Sequence, residues 1–512
     1  MCGIAAQYGR VDVDEGRRML ARMTHRGPDD QGDGRVGDRT WLGHRRLSIV
    51  DVAGGHQPLR TPDEMVKLVG NGEVYNHDRI RRRLRDQDML TRSDNEVALH
   101  LFCEQGPEAL GEMHGMWAFA MAAEDGRFVA ARDPVGIKPL YWTPPEHEGD
   151  EVRFASEMRA FDEEWQPRVR TFPPGHYWTP ETGLRRFAAP VPDVPNEPWA
   201  EPEDPDAPPP PEAMVAVRER LIATVERQLM GDVPVGVFLS GGLDSTLVAA
   251  IAARALRQEG LQLQTFAVGL EGSPDLLAAR QAAAALGTLH RERVYTAEEA
   301  LDVLPTVVAT IESYDPSLVR SAVANYLLAE MTSRHVKVVL TGEGADEIFA
   351  GYEYLRDFGS QDELHRELVR TVEGLHDLNL QRADRVTMAH GLEARVPFLE
   401  LDMIDLGLAL PAAWKLARPG VPEKRLLRLA FDGWLPPDLL WREKSQFGDG
   451  SGASSVLRAE MESSVSEEEF EAERFDVEPT LRSREELAYY RIFARHLGDI
   501  RPEHTIGRFA TT

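Results

Sequence analysis

The sequence predicts an α+β domain of layered antiparallel sheets, followed by an α/β domain with a parallel sheet and a mostly helical end. With 512 residues, the chain exceeds the roughly 100–200 residues of one ordinary domain. Short runs separated by turn signals fill its first part, which is typical of antiparallel strands. Apolar strands alternate with helices in its second part, which is typical of a parallel sheet.

The first part, residues 2–186, carries short apolar or alternating runs bounded by turn residues. These runs predict strands at 3–8, 41–50, 65–69, 116–122, 127–132 and 152–155. Apolar residues at helical spacing predict helices over 14–23 and 95–104. We therefore expect sheets with few helices in this part.

Segment 187–212 is rich in proline and acidic residues and ends in consecutive prolines at 208–211. Because proline lacks an N–H and clashes with a preceding helical turn, we expect a linker or surface loop here. The second part, 213–512, predicts a helix over 213–230, a strand over 233–239, a glycine-rich turn, a helix from 245, a strand over 263–270, a helix from about 274 and a strand over 336–340. From about residue 347 we expect mostly helices.

The composition excludes several classes of partner. The formal net charge is −27, and such an acidic surface repels phosphate backbones and anionic membranes, so we expect no nucleic-acid or membrane partner. No apolar run approaches the ~18–20 residues of a membrane span. Two cysteines form no disulfide framework, and the N-terminal residues lack the regions of a signal peptide, so we expect a cytoplasmic protein.

Cys2 is a candidate nucleophile. If Met1 is removed, Cys2 becomes the first residue, and its α-amine, with a pKa of ~7.7–8.0, can take the proton of the thiol. A cysteine in this position can equally be a chance occurrence. The choice between these interpretations depends on the rest of the first part.

Four further polar segments lie among the predicted strands. They are His25-Arg26-Gly27-Pro28-Asp29, Arg46-Leu47-Ser48-Ile49-Val50-Asp51, Asn71-Gly72-Glu73-Val74-Tyr75-Asn76 and Ser93-Asp94-Asn95-Glu96. Taken singly, Arg46 is a surface charge at the start of a strand, Asn71-Gly72 is a hairpin turn, and Ser93 or Asp94 is a helix cap. Taken in order after Met-Cys-Gly-Ile, they form a specific pattern.

This pattern resembles the glutaminase domain of the class II, N-terminal-nucleophile glutamine amidotransferases. The resemblance implies a four-layer αββα fold, Cys2 as the nucleophile on the glutamine amide, and Asn71 and Gly72 as the oxyanion hole. The residues that it assigns to glutamine binding are Arg46, Leu47, Ser48, Ile49, Val50, Asn71, Gly72, Glu73 and Asp94.

The chemistry of the substrate agrees with this assignment. A glutamine amide with its zwitterionic head needs one cation, one anion and polar donors for the carbonyl oxygen. The resemblance gives Arg46 to the carboxylate, which a guanidinium binds well, and Glu73 and Asp94 to the amino group.

A glycine-rich loop, Ser240-Gly241-Gly242-Leu243-Asp244-Ser245, follows an apolar strand and precedes a predicted helix. Free N–H groups at a helix N-terminus attract phosphate. The chain contains no Gly-Lys pair, so this loop is not the P-loop of γ-phosphate chemistry. It is similar to the loop of ATP pyrophosphatases; the alternative is a strand-to-helix turn with a capping serine.

An acidic segment, Thr341-Gly342-Glu343-Gly344-Ala345-Asp346-Glu347, follows a second buried strand. Glu343, Asp346 and Glu347 would share one face of a helix. One interpretation is an acidic first turn that complements the helix dipole. The other is a Mg²⁺ site, because Mg²⁺ binds one or two carboxylates together with phosphate oxygens.

Both parts together resemble the glutamine-hydrolysing asparagine synthetases, through these loops and the segments at 266–270, 392–399 and 444–450. The resemblance implies ATP and Mg²⁺, with glutamine and aspartate as the other ligands, a homodimer, and a passage for ammonia. It assigns ATP contacts to Leu239, Ser240, Gly241, Gly242, Asp244, Ser245, Val268, Thr341 and Gly342. It assigns Mg²⁺ to Asp244 and Asp346, aspartate to Ser317 and Arg320, the ammonia step to Glu343, and pyrophosphate departure to Lys444.

One position departs from the family pattern. The familiar Asp-x-Thr-Thr-x-Arg-Ala-Ser segment reads Asp315-Pro316-Ser317-Leu318-Val319-Arg320-Ser321-Ala322, so Leu318 replaces a hydroxyl. The alternative function is therefore an amidotransferase for another carboxylic acid. Two further alternatives are disfavoured: Cys2 argues against the β-lactam synthetases, which lose this cysteine, and the intact Cys2, Asp244 and Glu343 argue against a non-catalytic scaffold.

Overall fold

The computed structural model describes residues 2–84, 89–147, 149–192, 199–204, 206–358, 360–418, 420–442 and 452–509. In its first part, strands alternate with few helices. The strands are β1 Gly3–Tyr8, β2 Asp30–Val36, β3 Thr40–Arg46, β4 Leu59–Arg60, β5 Val66–Val74, β6 Gly115–Ala123, β7 Phe128–Arg132, β8 Tyr141–Trp142, β9 Val152–Ala155, β10 Arg170–Thr171, β11 His176–Thr179 and β12 Gly183–Arg186. The helices are α1 Val13–Arg22, α2 His77–Leu84 and α3 Glu96–Gln105.

These strands form two antiparallel sheets, in the orders β10-β8-β9-β1-β3-β2 and β12-β11-β7-β6-β5-β4. Alternate residues of a strand face opposite sides of its sheet. Side chains such as Ile4, Leu42 and Val69 form one apolar core with members from both sheets. On the other face of the first sheet, Trp41 packs with Met19 of α1. The expectation of a sheet-rich first part is therefore confirmed.

The second part contains a five-stranded sheet in the order β15-β14-β13-β16-β17. Its strands are β13 Val235–Phe238, β14 Gln264–Leu270, β15 Leu289–Tyr295, β16 Val338–Leu340 and β17 Glu393–Arg395, and all pair in parallel. The predicted parallel sheet is confirmed. The sequence did not predict β15, an edge strand with charged residues at three successive positions, or the short β17.

Helices surround this sheet and form most of the later chain. Their bounds are α4 Pro211–Arg227, α5 Leu243–Gln258, α6 Pro274–Leu286, α7 Ala297–Ile311, α8 Pro316–Thr332, α9 Ala345–Ile348, α10 Gln361–Gly374, α11 Asn379–Met388, α12 Leu401–Ala409, α13 Ala412–Lys415, α14 Arg425–Ala430, α15 Pro437–Leu440, α16 Ser454–Ser463, α17 Glu467–Glu473 and α18 Arg484–Leu497. None of the helices in the described ranges is both long and apolar enough to cross a membrane.

The two parts pack against each other through a shared apolar core. Leu47 and Ile49 of the first part belong to the same buried cluster as Val217 of α4 and Leu247 of α5. This packing also explains why β3 ends at Arg46 instead of continuing to residue 50 as the sequence predicts. Beyond Arg46, the chain leaves the sheet to bury its apolar side chains against the second part.

Candidate active sites

Cys2 lies immediately before β1, where the first part meets the second. Its backbone N–H donates to Asn71 Oδ1 at 2.9 Å, and its Sγ lies 4.0 Å from the carbonyl oxygen of Leu47. The side chain is buried, and burial raises the pKa of the Cys2 thiol above its ordinary value. A buried thiol of this kind needs a nearby base to become a nucleophile.

Asn71 and Gly72 lie within β5, paired with β6, so the expected hairpin turn at this position is wrong. Gly72 has a φ of +139°, and a Cβ there would lie 1.9 Å from the carbonyl oxygen of Met116. Only glycine fits such a position. The buried Nδ2 of Asn71 has no hydrogen-bond partner within the described chain, so a donor is available next to Cys2.

Arg46 is the last residue of β3 rather than the first of a strand. Its guanidinium donates to the carbonyl oxygens of Asp51 at 2.7 Å and Val52 at 3.2 Å. The N–H of Ser48 donates to Asp29 Oδ2 at 2.7 Å. These contacts hold the segment 47–50 as a loop beside Cys2, with Leu47, Ser48 and Ile49 buried and Val50 half-buried.

Glu73 and Asp94 are buried close to this loop. Asp94 Oδ2 accepts from the N–H of Val74 at 2.6 Å, whereas Asn95 is the N-cap of α3, so the predicted capping role of Ser93 or Asp94 is wrong. Burial, reinforced by Asp94, raises the pKa of Glu73 well above its ordinary value. Arg395 Nη2, from β17 of the second part, lies 3.7 Å from Glu73 Oε1.

A cavity of about 670 Å³ opens at the carboxyl ends of β13, β14 and β16, where ligands of open α/β sheets bind. It brings together most of the residues that the sequence assigns to the second site. They are Leu239, Ser240, Gly242, Asp244, Ser245, Val268, Ser317, Arg320, Thr341, Gly342, Glu343 and Asp346. Gly241 is outside the lining: it has a φ of +72° and packs against α6, where a Cβ would lie 2.5 Å from Ala278.

The predicted ATP loop precedes α5 and is held by its own serines. Ser240 Oγ and Ser245 Oγ lie 3.1 Å apart, and the N–H of Gly242 donates to Ser240 Oγ at 3.3 Å. Gly242 is the N-cap of α5, so the loop presents the N-terminus of this helix to the cavity. The free N–H groups at the N-terminus of a helix can bind a phosphate group.

Asp244 and Asp346 converge on one cation. Lys424 Nζ lies 2.6 Å from Asp244 Oδ2 and 2.6 Å from Asp346 Oδ1. Although burial opposes it, these two carboxylates raise the pKa of Lys424 above its ordinary value. Gly351 leaves the space for this contact, because a Cβ there would lie 1.9 Å from Asp346 Oδ1 and 2.4 Å from Lys424 Cε.

Ser317 and Arg320 lie near the start of α8, which Asp315 caps by accepting from the N–H of Leu318 at 3.1 Å. Arg320 Nη2 donates to Ser317 Oγ at 3.3 Å, and Arg320 Nη1 donates to both oxygens of Glu485 on α18, at 2.8 and 2.7 Å. Arg320 therefore lines the cavity, while its guanidinium is held in place by Glu485, which does not line the cavity.

Leu318 points away from the cavity. Its side chain is fully buried in the apolar core that also contains Val319, Ala322 and Phe493, and Leu318 is not among the cavity-lining residues. The hydroxyl that this position lacks relative to the family pattern would therefore not face a ligand in the cavity.

Glu343 lies before α9, which begins at Ala345, so the expectation that Glu343, Asp346 and Glu347 share one helix is wrong. The φ of +92° at Gly344 turns the chain between Glu343 and this helix. Glu343 Oε1 instead accepts from Arg382 Nη2 of α11 at 2.5 Å, and Arg382 Nη1 donates to Ser321 Oγ at 2.8 Å.

Lys444 lies outside the described residues. Side chains that the sequence did not assign to a site also contact residues of the second site, among them Arg382, Lys424 and Glu485. A signal existed for Lys424, because it is one of only six lysines in a chain with 58 basic residues. No local motif marks Arg382 or Glu485, which meet their partners only through the fold.

Comparisons with known proteins match both parts of the chain. A family model described as a glutamine amidotransferase domain matches residues 1–179, and one described as asparagine synthase matches residues 216–359 and 355–502. Asparagine synthetase [glutamine-hydrolyzing] 2 of Arabidopsis thaliana is 41% identical over 478 residues, covering 89% of this chain and 80% of the relative. The probable asparagine synthetase of Schizosaccharomyces pombe is 38% identical over 539 residues, covering 98% and 95%.

Proposed function

This chain belongs to the glutamine-hydrolysing asparagine synthetase family, and from that premise we propose that it converts aspartate to asparagine with ATP and the amide nitrogen of glutamine. The products are asparagine, glutamate, AMP and pyrophosphate. The observation that carries the proposal is that one chain holds a candidate for each of the two sites that this reaction needs. A buried Cys2 lies beside Asn71, and a separate cavity of about 670 Å³ lies against the loop 240–245.

The first half-reaction releases ammonia from glutamine at Cys2. With Met1 removed, the α-amine takes the thiol proton, and the thiolate forms a C–S bond to the amide carbon, which gives a tetrahedral intermediate. The α-ammonium group then returns this proton to the amide nitrogen as the C–N bond breaks. The Nδ2 of Asn71 and the N–H of Gly72 stabilise the oxyanion of the tetrahedral intermediate. Ammonia leaves, and water then hydrolyses the γ-glutamyl thioester to glutamate. The unpartnered Nδ2 of Asn71 supports this role.

The substrate head is held by charged groups around the same loop. Arg46 binds the α-carboxylate, and Glu73 and Asp94 bind the α-ammonium group. Segment 47–50 forms the wall of this pocket. The burial of Glu73 and Asp94 supports the proposal, because a buried carboxylate gains most from an entering cation.

The second half-reaction activates aspartate in the cavity. An oxygen of the β-carboxylate attacks the α-phosphorus of ATP, the bond to the β-phosphate oxygen breaks, and pyrophosphate leaves. Ammonia then attacks the β-aspartyl carbon, and AMP departs. Loop 240–245 binds the phosphates, Leu239, Val268, Thr341 and Gly342 contact the nucleotide, and Ser317 and Arg320 hold the acceptor. Glu343 accepts the proton that the ammonia nitrogen loses, and Lys444 stabilises the departing pyrophosphate.

A magnesium ion fits the residues at this site. Asp244 and Asp346 already converge on the ammonium nitrogen of Lys424, so both carboxylates can meet a single cation. Carboxylate pairs next to phosphate oxygens are the ligands that Mg²⁺ prefers. When bound, the ion would neutralise phosphate charge during pyrophosphate departure.

The same proposal includes the finer organisation of the molecule. We assign residues 2–186 to a four-layer αββα glutaminase domain, 187–212 to a linker and 213–512 to the synthetase domain. The packing of α1 on the first sheet supports the layering. We further propose a cytoplasmic homodimer without nucleic-acid or membrane partners; the two unpaired cysteines are consistent with a reducing compartment.

Substitution of the nucleophile tests this proposal. Cys2→Ala should abolish glutamine-dependent asparagine formation and leave synthesis from ammonium chloride within about twofold of the wild-type rate. Cys103→Ala, at an exposed cysteine, is the matched control and should change neither activity. Persistent glutaminase activity in Cys2→Ala would remove Cys2 from the mechanism.

A further inference from the structure

A buried ion pair crosses from the first part to the second beside Cys2. Arg26 Nη1 donates to Asp384 Oδ2 at 2.7 Å, and Arg26 Nη2 donates to Asp384 Oδ1 at 3.2 Å. The side chains are 0% and 2% exposed, so water does not compete with this contact. Burial alone would raise the pKa of Asp384, but Arg26, together with Lys138 and Arg385, lowers that pKa, so the pair is ionised. Two-point pairing of this kind fixes the plane of a guanidinium.

The same guanidinium holds the backbone of Cys2. Arg26 Nε donates to the carbonyl oxygen of Cys2 at 3.0 Å, while Arg26 Nη1 also contacts Glu157 Oε1 at 2.9 Å. The nitrogen of Cys2 donates to Asn71 Oδ1, so the nitrogen and the carbonyl oxygen of the proposed nucleophile both have hydrogen-bond partners. The restraint on the carbonyl oxygen of Cys2 therefore depends on the position of the Arg26 guanidinium.

Asp384 belongs to a helix that also reaches the second site. All ten residues of α11 are buried, and Arg382, two positions before Asp384, contacts Glu343 in the cavity. Arg385, the next residue, pairs with Glu312 at 3.0 Å. Helix α11 thus has little freedom to move, and it supplies a rigid base for Asp384.

We propose that Asp384, which the synthetase domain contributes, is a positioning residue of the glutaminase site. It orients Arg26, and Arg26 holds the Cys2 carbonyl so that the thiol faces the amide of glutamine next to Asn71. The inference rests on the proposed role of Cys2. It means that the glutaminase site is incomplete without α11 of the other domain.

Asp384 adds two contacts to the restraints on the Arg26 guanidinium. Without Asp384, Arg26 keeps Glu157 on Nη1 and the Cys2 carbonyl on Nε, but it loses the contact of Nη2 and the second contact of Nη1, so its plane is held less firmly. The carbonyl of Cys2 then accepts from a donor with a less fixed direction. Small displacements of a nucleophile lower the rate of attack more than they weaken substrate binding.

Asp384→Asn tests the inference, because it preserves shape and removes the charge. We expect kcat for glutamine hydrolysis to fall about tenfold, with KM for glutamine within about twofold. Synthesis from ammonium chloride should stay within about twofold of wild type. Gln381→Leu is the matched control: Gln381 lies one turn earlier on α11, buried and bonded to the carbonyl oxygen of Ile311 at 2.8 Å, and should leave glutamine hydrolysis unchanged.

A double variant separates positioning from general damage. If Asp384 acts only through Arg26, then Arg26→Gln/Asp384→Asn should be no slower than Arg26→Gln alone. Additive losses would overturn the inference, as would equal losses of glutamine- and ammonia-dependent synthesis. If Asp384→Asn does not fold, Asp384→Glu replaces it, with a smaller fall in kcat expected and an unchanged kcat contradicting the inference.

The proposed function and this inference fail in different ways. A wild-type protein that releases no ammonia from glutamine overturns the function itself. A wild-type protein that does so, together with an Asp384→Asn variant of equal kcat, overturns only the role of Asp384.

Discussion

Lys424 Nζ lies 2.6 Å from Asp244 Oδ2, although 180 residues of chain separate them. The lysine is buried, and its backbone adopts a left-handed conformation, with a φ of +57°. A non-glycine residue in this region is strained, and such strain persists where the surrounding structure enforces it. The backbone N–H of Lys424 donates to the carbonyl oxygen of Lys415 at 2.8 Å, and its side chain is held by the two carboxylates, so the residue is fixed at both ends.

We therefore predict that Lys424→Met lowers aspartate-dependent pyrophosphate release about a hundredfold, because the phosphates lose a cation and the carboxylates of Asp244 and Asp346 lose the group that holds them together. Lys424→Arg should also be impaired, since a guanidinium is larger than the space beside Gly351. Pyrophosphate release and, separately, binding of Mn²⁺ measured by electron paramagnetic resonance are the readouts. Glutaminase activity should not change.

Lys67→Met is the matched control for this lysine. Lys67 lies at the surface of the first part, 3.7 Å from Glu124, and should behave as wild type. A Lys424→Met variant with normal pyrophosphate release and normal Mn²⁺ binding contradicts the prediction.

Leu318→Thr restores the hydroxyl of the family pattern. Because Leu318 is buried in the core and does not line the cavity, we expect KM for aspartate to change by less than about twofold. The variant should instead lose about 2–3 kcal/mol of unfolding free energy, because it leaves a cavity and buries a hydroxyl. Steady-state kinetics and urea unfolding measure the two quantities. A large fall in KM would show that this position contacts the substrate.

Glu485→Gln removes the charge that holds Arg320. With one carboxylate oxygen replaced by an amide nitrogen, the two contacts at 2.8 and 2.7 Å cannot both persist. We predict that KM for aspartate rises about tenfold and that KM for glutamine is unchanged. Glu473→Gln is the control, because Glu473 also pairs with a residue of α18, Arg491, but at the surface. If KM for aspartate is the same in Glu485→Gln as in Glu473→Gln, Glu485 does not have this role.

Acid should weaken the contact between the two parts. Burial opposes ionisation of Glu393, but nearby positive charges, first the amino terminus and then Arg395 and Lys138, lower its pKa to about 2 from 4.5. Below pH 4.5 the unfolded chain takes up a proton at this site before the folded chain does, so stability falls as pH drops towards 2, by about 3 kcal/mol at most. Above pH 4.5 this contribution is fully present.

Thermal melting between pH 6 and pH 3 measures this effect. The melting temperature should fall with pH in the wild type, and Glu393→Gln, which has no proton to take up, should show a smaller fall over the same range. An identical slope in both proteins means that Glu393 does not contribute.

The sequence predicted the classes of both parts because their strands carry clear periodic patterns. It misjudged Asn71-Gly72, since this pair is typical of a turn and only pairing with β6 makes it part of a strand. It missed β15, whose charged residues suit an exposed edge and give no apolar alternation.

The candidate residues also fall into two groups: those that a local motif marks and those that only the fold brings to their partners. Motifs marked Cys2, Asp244 and Asp346 as candidates because their neighbours in sequence carry part of the signal. Arg382 and Glu485 are separated from their partners by 39 and 165 residues, so no local pattern could indicate them. Their identification depended on the fold, which brings α11 to the cavity and α18 to Arg320.

Transfer of labelled nitrogen tests the central claim most directly. The purified protein would be incubated with glutamine carrying ¹⁵N in its amide, together with aspartate, ATP and Mg²⁺, and the products followed by mass spectrometry. We predict ¹⁵N in the side-chain amide of asparagine, with AMP and pyrophosphate formed in equal amounts. Glutamine hydrolysis without labelled asparagine, or ADP in place of AMP, would contradict the account.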